Sequence, residues 1–477
     1  MLLRSGWVLA VVSLAVLFLI HRYAWVRLVR DTNLRRPWRP LLTGAFAALF
    51  VALPAAFALT RRLPPDGRFG LMTTAYVWLG LLFYLVLILA ALDVLRLPLW
   101  FARRLRSRRN PEAGRLQLPG SAGPGAPTPD KPPSAPPEVP SQPDPPRRQP
   151  PPEPKPETPP RPPSPPKPDR PSTPGMPVEP GPSQPEPGPA PTMSRRELLA
   201  RTSAGAVLVA AGGTVALGWR SAGEITLPEI PVHLPRLPRA LDGLRLVQLS
   251  DLHLGMLADS RFLRHVVEKS NALRPDLVVI TGDLVDGSVE TLGPDVEPLS
   301  GLRSRWGTLF VTGNHEYYSG ADDWVEWLRA RGIRVLMNER VALGDDGLCE
   351  EPGRGPGLDI AGVTDFRAGH NHDGHAPDLA RALEGRDPDR ELVLLAHQPR
   401  QVDEAAAAGV GLQLSGHTHG GQLWPFGSLV GLFQPYIHGL HRHGEMTQIY
   451  VSRGTGCWGP PMRVGAPAEI ASVVLTT

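Results

Sequence analysis

The chain has 477 residues and a formal net charge of +4. That length exceeds one ordinary domain, so we expect several segments. The last half mixes both charge signs without a concentrated basic patch, which argues against nucleic acid as a partner. The two cysteines, Cys349 and Cys457, cannot build a disulfide framework, so one bridge and two unpaired thiols both stay open.

The first 110 residues contain three apolar runs, at 6–20, 41–59 and 71–92. A helix needs roughly 20 apolar residues to cross a bilayer, so the second and third runs qualify and the first is marginal. A cleaved signal peptide is the alternative for the first run. We predict that residues 1–110 form a membrane region with about three transmembrane helices.

Arginines are distributed unevenly among the segments that flank these runs. Six lie between the first and second runs and six between the third run and residue 110, whereas the remaining loop has three. Cytoplasmic loops are enriched in arginine, so the two richer segments should be cytoplasmic. This predicts an N-terminus outside the cell and residue 110 inside it.

Residues 111–193 hold more than half of the 57 prolines and almost no large apolar side chains. Such a composition cannot bury a core, which predicts a disordered, extended linker. The PPRP motif at 159–162 is compatible with a partner that binds proline motifs, although a plain spacer is favoured.

Residues 194–219 begin with Arg195 and Arg196, ahead of an apolar run rich in Ala and Gly. This pattern resembles a twin-arginine export signal, which a receptor reads as an address. A fourth transmembrane helix is the alternative, and a buried helix of a soluble domain is less favoured. The first two interpretations both carry the chain across the membrane. They predict a protein integral to the cell membrane, with its domain at 220–477 on the extracytoplasmic side.

From about Leu244, short apolar runs alternate with amphipathic stretches. The apolar runs predict buried strands and the amphipathic stretches predict helices. Such alternation implies a layered α/β domain. The predicted strands are 244–250, 277–281, 308–312, 392–396, 411–415, 448–452 and 469–475, and the predicted helices are 260–273, 321–331 and 399–408.

Polar residues typical of metal ligands follow each of the first five predicted strands. Sites in open α/β sheets form beyond the carboxyl ends of strands, so we expect residues distant in sequence to meet there. Each residue alone is more often a cap or a loop residue, whereas the complete ordered set is a strong signal. The set comprises Asp251, His253, Asp283, Asn314, His315, His397, His417 and His419.

The residue types in this set indicate the chemistry of the site. Carboxylates and imidazoles without thiolates suit divalent cations such as Mn, Fe, Zn or Ni. Two ions at about 3.5 to 4 Å from each other need an anionic bridge, and Asp283 is the natural candidate. Spacing alone does not assign the other ligands to one ion or the other.

In chain order the motifs are Asp251-Leu-His253, Gly282-Asp283, Gly313-Asn314-His315, His397 and Gly416-His417-Thr418-His419. This order resembles the calcineurin-like metallophosphoesterase superfamily. The DLHLG, GHTHGGQ and SRGTGCWGPPMRVGAPAEI segments resemble its bacterial membrane-associated, twin-arginine-exported phosphodiesterase branch. The resemblance covers about 240 residues and implies a sandwich of two sheets flanked by helices.

The resemblance also implies a role for each residue. One metal would be held by Asp251, His253 and His419, and a second by Asn314, His397 and His417, with Asp283 as the bridge. His315 would be an acid or a transition-state stabiliser, and it shares the catalytic role with Asp283. Asn314, His315 and Arg453 are the candidate substrate-binding residues.

The implied reaction is metal-dependent hydrolysis of phosphate esters, with phosphodiesters ahead of other substrates, by a hydroxide that bridges two ions. A broad phosphomonoesterase is one alternative. A non-catalytic membrane scaffold or sensor with a metal-binding ectodomain is the other. The predicted spans are compatible with a lipid-linked substrate, but they are equally compatible with a simple anchor.

Several residues carry weaker signals. The histidines of the GHNHDGH segment favour an exposed loop over a third metal site, and Arg453 and Arg463 fit a phosphate clamp as well as a surface position. The aromatic residues after the GHTHGGQ motif favour a place in the core over an apolar lip that faces lipid. The histidines are His370, His372 and His375, and the aromatic residues are Trp424, Phe426 and Phe433.

Overall fold

The computed structural model describes residues 2–59, 65–109, 193–255, 257–344, 347–349, 357–370, 372 and 374–477. Residues 111–192 of the predicted linker, including the PPRP motif, lie outside the described residues. Met1–Pro98 and Met193–Thr477 form one compact unit, to which the contacts below belong. The other unit is Leu99–Thr192, of which the structure describes the end of one helix.

Four helices among the described residues are long and apolar enough to cross a membrane. They are α1 (Leu2–Trp25), α2 (Trp38–Leu59), α3 (Pro65–Arg109) and α4 (Arg195–Ala222). The three predicted spans and the predicted fourth are therefore confirmed as helices of sufficient length and apolar composition. A capping box starts α4, because the Ser194 side chain accepts from the Glu197 N–H while the Glu197 carboxylate accepts from the Ser194 N–H.

The helices pack against one another along their apolar sides. Val207 and Ala211 of α4 share a buried cluster with Leu85 of α3. Near the start of α4, the Arg201 side chain donates to the carbonyl oxygen of Thr32, which follows α1, at 3.0 Å. The start of α4 therefore lies beside the arginine-rich connection between α1 and α2, and the chain leaves α4 at its opposite end.

The described residues from 225 onward form two mixed β-sheets. The strands are β1 (Glu229–His233), β2 (Leu244–Leu249), β3 (Leu277–Ile280), β4 (Thr308–Phe310), β5 (Arg334–Val335), β6 (Glu339–Gly344), β7 (Gly347–Cys349), β8 (Leu358–Gly362), β9 (Glu391–Leu395), β10 (Leu412–Ser415), β11 (Gly439–His443), β12 (Thr447–Val451) and β13 (Ala471–Thr476). The first sheet has the order β1-β13-β2-β3-β4-β5, and β2 to β5 are parallel. The second has the order β11-β12-β10-β9-β8-β6-β7, with β8, β9, β10 and β12 parallel.

Seven α-helices follow the strands within the described residues, and several of them cover the outer faces of the two sheets. They are α5 (Ser260–Ala272), α6 (Val289–Val296), α7 (Asn314–Ser319), α8 (Ala321–Arg329), α9 (Leu379–Ala382), α10 (Val402–Ala407) and α11 (Gly427–Val430). Alternate residues of β3 show the layering, since side chains along a strand point to opposite faces. Leu277 and Val279 share the core between the sheets with Val393 of β9, whereas Ile280 packs with Trp324 of α8. The predicted layered sandwich, two sheets flanked by helices, is confirmed.

The seven predicted strands all occur, each within two residues of its predicted ends. Two predicted helices match α5 and α8, and the third is a short 3-10 turn, Pro399–Gln401, followed by α10. Several of the missed strands are short or contain interspersed polar residues. Strand β1, for example, lies at a sheet edge, contains Pro231 and is largely exposed, so its sequence carried little signal.

Candidate metal centre

The two sheets bring the carboxyl ends of their parallel strands to one edge. Asp251 and His253 follow β2 and Asp283 follows β3, while His397 follows β9 in the other sheet. The His417 N–H, just after β10, donates to both carboxylate oxygens of Asp251 at 3.0 Å each. This contact joins the two edges, so the residues predicted to meet do share one site.

Ligand atoms gather there in groups whose members lie within 4.8 Å of one another. The groups are Asp251, His253 and His419; Asp283, His397 and His417; and His253, Asp286 and His315. Six of the seven predicted metal ligands belong to the first two groups. A spacing this short is what one shared cation in each group requires.

Asp283 belongs to the second group and also lies close to the first. One oxygen of its carboxylate is 3.1 Å from His397 Nε2 and 3.9 Å from His253 Nε2. The other oxygen accepts from the His315 N–H at 2.8 Å. Burial raises the pKa of the Asp283 carboxyl, but the neighbouring imidazoles outweigh it and hold that pKa well below its usual range. A buried, ionised carboxylate therefore touches both groups.

The orientation of His397 calls for positive charge beside it. Its Nδ1 donates to the Thr281 carbonyl at 2.7 Å, which leaves Nε2 facing Asp283 and, at 3.2 Å, His417 Nδ1. A lone pair facing a carboxylate is repulsive unless a cation lies between them. Burial lowers the pKa of His397, but the Asp283 carboxylate, together with other nearby carboxylates, outweighs burial and raises that pKa well above its usual value. The site attracts a cation, whether a proton or a metal ion.

Asn314 supplies independent evidence for the kind of cation. Its side-chain oxygen is buried and has no hydrogen-bond partner among the described residues. An unpaired buried acceptor costs about 1–3 kcal/mol, and coordination of a metal ion would remove that cost. The set of carboxylate, amide and imidazole donors, without thiolate, fits divalent Mn, Fe, Zn or Ni.

Backbone strain is concentrated at these ligands. Five of them adopt positive φ angles between 47° and 71°, which β-carbons disfavour. Each such residue costs on the order of 1–3 kcal/mol, so the surrounding structure must hold it there. The five are Asp251, His253, Asp283, His417 and His419.

Asp286 is a site residue that the sequence analysis missed. Its carboxylate accepts from His253 Nδ1 at 3.0 Å and from His315 Nδ1 at 2.6 Å. Burial lowers the pKa of His315, but the carboxylates of Asp286 and Asp283 outweigh it and raise that pKa to about 9. The available signal was a third polar residue in TGDLVDG, again placed before a glycine.

Glu316 was missed as well, although it follows His315 directly. Its buried carboxylate accepts from the N–H groups of Gly313, Asp283 and Leu284 at 2.6, 3.0 and 2.8 Å. Burial raises its pKa to about 7. Glu316 thus ties the turn after β3 to the turn after β4, where a β-carbon at Gly282 would collide with the Gly313 backbone.

The two candidate phosphate-clamping arginines differ. Arg463 is buried and donates to the carbonyl oxygens of Arg453, Gly454, Gly456 and Ala466, so it holds a loop together. The guanidinium of Arg453 is partly exposed, and its Nε lies 3.5 Å from Glu469. Its proposed contact with substrate stays a prediction.

The remaining expectations have mixed outcomes. Both cysteines are unpaired. His372 and His375 are partly buried and stack at 5.9 Å, outside the metal-type groups found among the described residues.

The favoured core position of Trp424, Phe426 and Phe433 is wrong, since their exposed fractions are 67%, 43% and 72%. Hydrophobicity alone could not distinguish a core from another apolar environment.

The structure is a layered α/β sandwich with groups of aspartate and histidine, of the kind that can hold metal ions, where the strands of its two sheets end. The sequence model of the calcineurin-like phosphoesterase family matches residues 244–421. An uncharacterized metallophosphoesterase of Bacillus subtilis, YkuE, is 30% identical over 302 residues, which cover 59% of this chain and 98% of that relative. The chain belongs to this family of metallophosphoesterases.

Two further relatives have higher identity. An uncharacterized metallophosphoesterase of Helicobacter pylori is 41% identical over 246 residues, covering 51% of this chain and 62% of the relative. A Bos taurus protein named transmembrane protein with metallophosphoesterase domain is 43% identical over 255 residues, which cover 53% of this chain and 56% of that relative. The match therefore spans less than two thirds of the length of these two relatives. The name of the Bos taurus relative and the four apolar helices both suggest that the protein is integrated in a membrane.

Proposed function

We propose that the protein hydrolyses phosphate esters, with phosphodiesters preferred, at a centre that holds two divalent cations. The observation that carries the proposal is the Asp283 carboxylate, with one oxygen 3.1 Å from His397 and 3.9 Å from His253. Those two histidines belong to different ligand groups. A carboxylate in that position suits a bridge between two ions.

The ligand groups and the unpaired Asn314 oxygen support an assignment of ligands to the two ions. In this proposal one ion is held by Asp251, His253 and His419, the other by Asn314, His397 and His417, and both by Asp283. Bound cations would polarise the phosphoryl oxygens and, by lowering the pKa of water, supply a bridging hydroxide nucleophile. The protein's own contribution is to hold the donors rigidly, through strained turns and the Glu316 hydrogen bonds.

His315 is the proposed acid that assists the leaving group. The Asp286 carboxylate accepts from its Nδ1 and stabilises the imidazolium form. Nε2 then carries the proton that a departing alkoxide needs. The ring also packs edge-on against the exposed Tyr318 at 5.4 Å, which limits its rotation.

We also propose that the catalytic domain lies on the extracytoplasmic side and that Arg195 and Arg196 act as an export address. The support is the arginine-rich connection near residue 32, which Arg201 contacts at the start of α4. Protease accessibility in intact cells tests the side. Replacing both arginines with lysine tests the address, and loss of export would support it.

The reaction is tested on the full-length chain in detergent, with metal analysis beside two substrates. We expect two ions per chain and faster hydrolysis of bis-p-nitrophenyl phosphate than of p-nitrophenyl phosphate. The reverse order would favour a phosphomonoesterase. Two bound ions with no turnover on either ester would favour a scaffold or sensor.

A further inference from the structure

An apolar surface projects from the catalytic domain a few residues after the metal ligand His419. We call it the apolar edge and define it as Trp424, Phe426, Leu429, Leu432 and Phe433, which are all exposed. Phe426, Leu429 and Leu432 are spaced by three residues along consecutive helical turns, which places them on one face. A cluster this apolar rarely faces water without a partner.

The base of the apolar edge is attached to the membrane-type helices. The Tyr84 hydroxyl of α3 donates to the Trp424 carbonyl at 3.0 Å. Leu423 and Val464, which flank that point, pack in the same cluster as Val207 of α4. The span in α3 runs from Phe69 to Pro98, so Tyr84 lies near its middle. The edge therefore begins beside apolar helix surface rather than in the aqueous part of the domain.

The residues that lead from His419 into the apolar edge, Gly421 and Gln422, belong to the framework of the metal centre. The Gly421 and Gly427 backbones touch so closely that a β-carbon at Gly421 would collide with Gly427. The Gln422 amide donates to the carbonyl oxygens of Trp458 and Pro460 at 2.8 and 3.0 Å. The edge is thus fastened rigidly to the turn that carries His419.

A second part of the site rim also meets these helices. Leu257, four residues after His253, packs with Leu53 of α2 and Met72 of α3. Tyr76 of α3 approaches the loop after Cys457, because a β-carbon at Gly459 would lie 3.7 Å from the Tyr76 ring. The helices therefore line the surroundings of the metal centre on two sides.

We propose that the apolar edge inserts among the acyl chains of the bilayer that the helices cross, and that the metal centre thereby acts on phosphoesters anchored in the same leaflet. The substrate class rests on the proposed hydrolase function, whereas the insertion does not. The bilayer is the favoured occupant because the edge is continuous with the apolar helices. Arg400, which donates to the Phe433 carbonyl, adds a cation that attracts anionic headgroups.

Insertion is tested by photo-crosslinking of the full-length chain in phosphatidylcholine nanodiscs. The photoreactive residue p-benzoylphenylalanine replaces Phe433 or, as the matched control, Met446, which is 54% exposed but lies outside the edge. We expect a phospholipid adduct at position 433 and none at position 446. Equal labelling at both positions, no lipid adduct at 433, or a crosslink to protein there would overturn the insertion.

The substrate class is tested with the variant Leu432→Ser/Phe433→Ser beside Met446→Ser. One substrate is dioleoyl-phosphatidyl-p-nitrophenol in the nanodisc, and the other is soluble bis-p-nitrophenyl phosphate. We expect the double variant to lose about tenfold of its rate on the lipid ester, since two apolar side chains no longer enter lipid, and to keep its soluble activity. Equal rates for the double variant and wild type on the lipid ester would overturn the inference. A wild type inactive on both esters would instead remove the hydrolase proposal, and the crosslinking result would stand apart from it.

Discussion

Two clusters of buried charged side chains in the catalytic domain solve the same electrostatic problem differently. In the first, the Asp359 carboxylate of β8 faces the guanidinium groups of Arg340, Arg386 and Arg390 at 3.5, 3.6 and 2.7 Å. The protein supplies its own positive charge there. In the metal centre, by contrast, acceptors face acceptors, as between His397 and Asp283.

The backbone repeats this difference. None of the four residues of the arginine cluster is among those with positive φ, whereas five metal-centre residues are. A cluster that is complete by itself needs no strained geometry, because its ion pairs form from ordinary strand and turn positions. Strain and uncompensated acceptors together indicate a site whose partner comes from outside the chain.

The largest expected effect is that of Asp283→Asn. The amide cannot provide the shared negative charge, so we expect turnover to fall by about a thousandfold or more and at least one ion to be lost. Rates on bis-p-nitrophenyl phosphate and metal content by mass spectrometry measure both. His419→Ala should behave in the same way. If both purified variants kept wild-type turnover, the metal centre would not be the place of reaction.

Asp359→Ala should have the complementary effect. It removes the buried carboxylate that faces three guanidinium groups, of which that of Arg390 is buried, and breaking a buried pair costs about 3–5 kcal/mol. We expect a lower free energy of unfolding in urea but an unchanged metal content in the folded protein. Loss of metal without loss of stability would contradict the division between the two clusters.

Asp286→Asn tests a residue that acts through the ligands. The Asp286 carboxylate accepts hydrogen bonds from both His253 and His315. We therefore expect losses of about 10- to 100-fold in metal affinity or turnover, the range usual for groups that orient metal ligands. The matched variant His315→Ala should lower turnover while metal affinity, measured by competition with a chelator, stays near the wild-type value. Equal metal affinities in the two variants would show that Asp286 does not position His253.

The sequence predicted which aspartates and histidines lie together, because they follow the ends of buried apolar strands. Parallel strands bring their carboxyl ends together, so position along the chain was enough to place His397 beside Asp283. Asp286 and Glu316 were not predicted. They act by hydrogen bonds between turns that are distant in sequence, and the one local signal, a third polar residue before the glycine of TGDLVDG, is common in ordinary loops.

The apolar edge shows a different limit. Its aromatic residues were predicted to lie in the core, because a hydrophobic side chain avoids water in the same way whether protein or lipid surrounds it. The contact of Trp424 with Tyr84, on a helix more than three hundred residues away in sequence, shows that the edge lies beside the apolar helices. Long-range packing of this kind leaves no periodic signal in the chain.

The smallest expected effect is that of Arg453→Ala. Arg453 lies beside the turn that carries His419, because a β-carbon at Gly420 would lie 2.9 Å from the Arg453 side chain. A partly exposed cation there should contribute modestly to binding, so we expect KM to rise by roughly fivefold or less. Uniform binding of this kind leaves kcat unchanged, and Arg453→Lys should retain most of the affinity.

The buried partner of Arg453 makes this variant interpretable. Glu469 keeps its hydrogen bonds from the Tyr450 hydroxyl at 2.7 Å and from the residue 453 N–H at 3.0 Å, neither of which needs the arginine side chain. The variant does leave the second Glu469 oxygen without its cation, so the free energy of unfolding is measured beside KM, and a change in KM at unchanged stability would report on substrate contact. A fall in kcat at constant KM, or a marked loss of stability, would instead show that Arg453 serves the loop, as Arg463 does.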